Sequence, residues 1–256
     1  MASPAPADPD IVTRYFVILA ENKAPSTIRQ AMAAMRRKHR EMGIDKDPIP
    51  QAARDIRLSL ERRTGRRAKQ AKPIGRAQLD FILPRLSGRL ALRDEAMLRM
   101  MYDGALRRSE AADARWENLF VRRAGDASLL IPRSKTDQYA EGAWIWIAPD
   151  TVKALRKWCK PERLHKAGYI FGIKAPEIGR RISRISQYTG LGAGYSGHSM
   201  RIGCARDLAN TGASEIEMQR AGRWKSSTMP LRYAGAEVAG RGAVAMRLYK
   251  WPKADA

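Results

Sequence analysis

The stretch GHSMRIGCARDLANTGASEIEMQRAGRWKSSTMPLRY, residues 197–233, sets His198, Arg201, Trp224 and Tyr233 along one polar-looking run. His198 and Arg201 stand three apart at the start of a predicted helix, so they project from one face, beside the positive end of the helix dipole. That combination suits a phosphate. Ser214 and Glu217 have the spacing of a capping box for a second short helix, which should end at Gly222 and deliver Trp224 from the turn beyond it. Ser227 or Thr228 then caps a last short helix carrying Tyr233. Taken singly these signals are weak: a His-x-x-Arg pair is more often structural, and an exposed tyrosine usually has no chemical role.

The chain around this run is strongly basic. Its 256 residues hold 48 Lys plus Arg against 26 Asp plus Glu, a formal net charge of +22, with 44% apolar residues. That content can bury a real core in one or two domains, and the charge reads first as polyanion binding, with nucleic acid the leading partner. A ribosome-like structural binder or a merely solubilising cationic surface are the plainer alternatives. Cys159 and Cys204 are too few for a disulfide framework and lack metal-ligand spacing, which points to a reducing, cytoplasmic setting. The start MASPAPADPD does not resemble a signal peptide, and YFVILA is far short of a membrane span. With three histidines, no carboxylate cluster for two-metal phosphoryl transfer and no Walker-type glycine loop, no metal or cofactor is expected.

The elements that must position the run read as mostly helical. Residues 1–8 are Ala/Pro-rich and expected to be disordered, and Ile11, Tyr15 and Ile18 then repeat at helical spacing. In APSTIRQAMAAMRRKHREMG, Ser26 or Thr27 is a candidate cap, Ile28, Met32, Met35 and Met42 form the apolar positions, and Gly43 closes the helix. Its other face is basic. Arg29, Arg36 and Arg37 with Gln30 would suit a major groove, or would simply be a solvated charged face. A third helix covers about 49–63, and RRTGRRAKQAKPIG, with six basic residues, reads as a linker able to neutralise phosphates. The candidate DNA contacts are therefore Thr27, Arg29, Gln30, Arg36 and Arg37 on the second helix, with Arg67 and Lys69 on the linker.

Further helices are predicted at about 77–86, 93–103 and 107–114. SLLIPRSKTDQYAEGAWIWIAP then reads as a β-hairpin with Lys135 at its tip, its second strand largely buried and Trp144 and Trp146 serving as core or sheet cover. Asp150 can cap a helix bearing Val152, Leu155 and Trp158, and helices follow at about 176–188 and 198–210. No internal repeat is visible.

The order of the motifs is far more specific than any one of them. GALRRSE at 104–110, RSKT at 133–136, GHSMR at 197–201, AGRW at 221–224 and RY at 232–233 resemble the tyrosine recombinases, the phage-integrase family, and its Cre-like branch in particular. GCARDLANTG, RAKQA and GAVAMRLYK extend the likeness over residues 9 to 250 or so. The resemblance implies a mainly α fold with a small antiparallel β-sheet (α+β): a helical, SAM-like core-binding domain at 9–66, a basic linker at 67–75, and a catalytic domain at 76–256 with a docking helix at about 240–250.

It also implies roles. Tyr233 matches the nucleophile that forms a 3′-phosphotyrosine link. Arg107 and Arg201 match the arginines on the nonbridging oxygens, and Lys135 matches the general acid on the hairpin. His198 matches the residue that hydrogen-bonds the phosphate and can take the phenol's proton. Trp224 stands where many relatives carry histidine, and an indole can only donate. Glu110 matches an acidic buttress. The implied partner is double-stranded DNA with inverted half-sites, bound by a homo-oligomer, a dimer per site and a tetramer in synapsis. The chain departs from the pattern in two ways: its front segment lacks a helix that Cre-like proteins carry, and Arg223 replaces the glycine expected before Trp224. A type IB topoisomerase-like enzyme and a non-cutting DNA binder derived from a recombinase are the alternative functions.

Overall fold

The computed structural model describes residues 6–64, 70–132, 142–159 and 167–239, which fall into two compact units, Met1–Gln70 and Ala71–Ala256.

In the first unit α1 (Pro9–Asn22), α2 (Pro25–Glu41) and α3 (Gln51–Thr64) enclose Val12, Phe16, Ile28, Met32, Ile49, Ala53 and Leu60. Composition places Asp8 in a disordered leader, but its carboxylate accepts from the N–H groups of Asp10 and Ile11 and caps α1. The stripe Ile11, Tyr15, Ile18 is the exposed side of α1, and the buried side is carried by Val12 and Phe16. Neither Ser26 nor Thr27 caps α2. Pro25 occupies the first turn after Ala24, and its preset φ starts the helix without a side-chain cap. Met42, expected in the apolar set, lies past the end of α2 and is exposed.

The second unit is built around α5 (Ala91–Asp103), which packs on α7 (Pro149–Trp158) and α9 (Ser199–Asn210). α4 (Arg76–Ile82) precedes it and α6 (Arg108–Asp113) follows it; α6 lies on α8 (Ala175–Tyr188), and α11 (Thr228–Ala239) lies on α9 beside α10 (Glu215–Gly222). β1 (Leu119–Val121), β2 (Ala127–Ile131) and β3 (Ala143–Ile147) form an antiparallel sheet in that order, with Leu129 opposite both Leu119 and Ile145. The core joins Met97, Met101, Leu106, Leu129, Ile147, Leu155 and Ile182.

β3 is buried on one face only. Ile145 and Ile147 point into the core, whereas Trp144 and Trp146 are more than half exposed, correcting the expectation of a buried strand. Trp144 rests edge-on against Phe120, and Trp146 donates to Asp126 at 2.6 Å. Nor does Asp150 cap α7: Ala148 holds the N-cap position and Pro149 the first turn, leaving Asp150 to pair with Lys153.

Candidate active site

Two tight turns and two helix starts build the site within the second unit. The turn 104–107 comes first. Ala105 takes φ +44, a conformation that costs a residue with a Cβ about 1–2 kcal/mol, and its carbonyl accepts from Arg201. Arg107 then stands at the N-cap of α6, and Glu110, one turn in, accepts from its backbone N–H at 3.0 Å and its guanidinium at 2.5 Å. One carboxylate thus fixes both the backbone and the side chain of Arg107. Burial would raise the Glu110 pKa, but the Arg223 and Arg107 guanidinium groups outweigh it and hold the carboxyl below its ordinary 4.5.

α9 supplies the second start, with His198 at its N-cap and Arg201 in its first turn. A Cβ on Gly203 would come within 2.0 Å of the Ile74 carbonyl oxygen, so glycine lets α9 lie directly against residues 74–75. Arg201 is 1% exposed and donates to the carbonyls of Ala105 and Gly222. Burial, then the Arg107 and Arg223 charges, lowers its pKa to about 9, which leaves it charged at neutral pH.

α10 brings in the aromatic pair. Its start is the capping box anticipated from sequence, Ser214 with Glu217, and its end is Arg223 in the left-handed region. The Trp224 indole folds back over Gly222, where an added Cβ would meet the ring at 1.9 Å. The Arg201 guanidinium lies over that ring at 4.3 Å, a cation–π contact, and the Tyr233 ring centroid is 5.9 Å from it, tilted by 57°. Tyr233 Oη stands 3.2 Å from His198 Nε2. The helix carrying it is interrupted at the next residue, Ala234, by non-helical backbone.

Arg107, His198, Arg201, Trp224 and Tyr233 line one cavity of about 220 Å³, completed by Lys225, Ser226 and Met229. Burial, then the Arg201, Arg107 and Arg108 charges, lowers the His198 pKa from its ordinary 6.5, which favours the neutral ring at neutral pH. Burial raises Tyr233 against the opposing pull of Arg201, Arg232 and Arg107. Arg107 and Arg223 hold the buried carboxylate of Glu110, and Arg201 stands near enough to feel all three charges, so the cluster carries a positive surplus that a bound anion can balance.

The structure therefore brings together Arg107, Glu110, His198, Arg201, Trp224 and Tyr233. Lys135 lies outside the described residues, as do Arg67, Lys69 and the expected docking helix at about 240–250. Among the other candidate DNA contacts, Thr27 and Gln30 are exposed on α2, while Arg29, Arg36 and Arg37 are engaged with Glu61, Asp47 and Glu41. Arg223 was visible in the sequence only as a bulky residue in a glycine's place. Its charge was the available signal, and its partner Glu110 lies 113 positions away.

The sequence profile described as the phage integrase family matches residues 76–239, more than half of the chain. The chain belongs to the phage integrase family of tyrosine recombinases. Such enzymes cleave and rejoin DNA at specific sites, and this recombinase is one of them. It is 29% identical over 259 residues to an integrase/recombinase XerD homologue of Selenomonas ruminantium, covering 89% of this chain and 73% of that protein. It is 28% identical over 263 residues to recombinase Cre of Escherichia phage P1, covering 89% and 76%. In fold it is similar to XerH recombinase in a post-cleavage complex with a palindromic difH substrate, with a TM-score of 0.65 at 13% identity, over 95% of this chain and 73% of the other. A lambda integrase dimer on a core site gives 0.59 at 18% identity, over 90% and 82%. No helix among the described residues is long and apolar enough to cross a membrane.

Proposed function

We propose that this recombinase cuts DNA through Tyr233 and exchanges strands between two sites. In this reading the phenol Oη attacks a backbone phosphorus in line, a bond to the 3′-phosphate forms, and the bond to the 5′-oxygen breaks. His198 Nε2 takes the phenol's proton, and Lys135 gives one to the departing 5′-oxygen. Arg107 and Arg201 hold the nonbridging oxygens with the planar fork that suits a phosphate. Trp224, in contact with both Arg201 and Tyr233, donates one hydrogen bond to the phosphate. Since one phosphodiester is traded for another, the step needs no external energy source.

The observation that carries this reading is Tyr233 Oη within 3.2 Å of His198 Nε2, in the cavity that Arg107 and Arg201 also line. The partner proposed is a duplex with two inverted half-sites around a short spacer, one protomer on each, with two such dimers in the synapse. Selection of bound sequences followed by a two-site recombination assay tests it. Recombinant products with a divided footprint are expected. Relaxation of supercoils without recombinants would favour a topoisomerase, and binding without any cleavage a non-catalytic binder.

A further inference from the structure

Arg223 ends α10 at φ 54 and ψ 45, a left-handed position that glycine adopts freely and that a side chain occupies at a cost of about 1 kcal/mol. The side chain is not left in solvent. It is 12% exposed, and it reaches back to the turn before α6, donating to the Gly104 carbonyl at 2.8 Å and to Glu110 Oε2 at 2.8 Å. Glu110 is the carboxylate that also grips Arg107. One residue earlier, Gly222 accepts from Arg201, and one residue later, Trp224 lies against Arg201 and Tyr233. Residues 222–224 are thus tied to both phosphate-facing arginines, and Arg223 makes the tie to Arg107.

We propose that Arg223 is a positioning residue for DNA cleavage: through Glu110 it fixes the register between Arg107 and the Trp224–Tyr233 segment, and so the line of approach of the phenol to the phosphate. The inference rests on the reading of Tyr233 as nucleophile. Backbone strain is accepted at this turn because the fork spans two acceptors, a carbonyl and a carboxylate, that a glycine could not reach. Arg223 does not line the cavity itself and is not assigned contact with DNA.

Glycine provides the separating test, because it removes the fork and relieves the strain together. In the full chain, Arg223→Gly should remain folded, the relief of left-handed strain offsetting part of the lost ion pair, and bind a target duplex within about twofold. Its single-turnover cleavage of a suicide duplex should fall roughly 100-fold, as expected for a misplacement of about 1 Å. Arg223→Lys keeps one charged donor for Glu110 but loses the fork, and should cleave at an intermediate rate. Combined with Glu110→Gln, the glycine variant should lose little more than Glu110→Gln alone, because both break the same tie. Cleavage by Arg223→Gly within twofold of the parent overturns the proposal. So does failure of that variant to fold, since Arg223 would then be holding the fold rather than the site. If the parent chain itself yields no covalent adduct, it is the assignment of Tyr233 that fails.

Discussion

Two sets of arginines in this recombinase are alike in number and opposite in circumstance. On α2, Arg29, Arg36 and Arg37 have side chains 41–78% exposed, beside Glu61, Asp47 and Glu41, carboxylates that Arg57, Arg54 and Lys38 also contact. Around the cavity of the second unit, Arg107, Arg201 and Arg223 are nearly buried; Arg107 and Arg223 share the carboxylate of Glu110, and Arg201 donates to the carbonyls of Ala105 and Gly222. The guanidinium groups of the first set face solvent, which screens their charge. The second set is a charge imbalance held in a poorly solvated place, where fixed donors act at full strength on an anion. Net charge is spread over both units, and what distinguishes the proposed site is the burial of its arginines rather than their number.

The largest effect that would break the comparison is at Arg201. Its replacement by Met should lower the single-turnover cleavage rate by a hundredfold to a thousandfold or more, since one lost donor at such a site costs about 3–4 kcal/mol. An unchanged rate in a quench-flow measurement would place the catalytic charge elsewhere. Glu110→Gln comes next. Removing the shared carboxylate leaves two partly buried guanidinium groups facing each other, and should destabilise the fold by about 3 kcal/mol in denaturant titrations. Its pH dependence carries a sign. Because the folded carboxyl titrates below its ordinary 4.5, its stabilisation is complete above that value and is lost as pH falls through the depressed one. That acid limb should be missing from the Gln variant. The smallest effect belongs to α2. Arg37→Ala, which removes an exposed pair with Glu41, should change stability by less than about 0.5 kcal/mol. If Arg37 touches a phosphate, the log–log salt slope of DNA affinity should fall by about 0.9.

Local chemistry decided how much of this was legible from the chain alone. The Ser214–Glu217 box was readable because both partners of the cap lie within one turn. At the start of α2 a proline at the first position, needing no side-chain cap, outweighs the serine and threonine after it, and at α7 Pro149 does the same ahead of Asp150. In β3 the two-residue period was plain, but which face is buried depends on what packs against it: the isoleucines meet the core and the tryptophans meet solvent and Phe120. The convergence of Arg107, His198, Arg201, Trp224 and Tyr233 could be anticipated from the order of their motifs. The reach of Arg223 to Gly104 and Glu110 could not, since no local pattern encodes a contact between residues so far apart in the chain.

The most direct test of the account is to incubate the full chain with a nicked duplex that cannot be religated, digest the trapped complex, and locate the attached nucleotide by mass spectrometry. The account predicts a 3′-phosphate ester on Tyr233 and none in Tyr233→Phe. An adduct on another residue, or strand joining that persists in Tyr233→Phe, would contradict it.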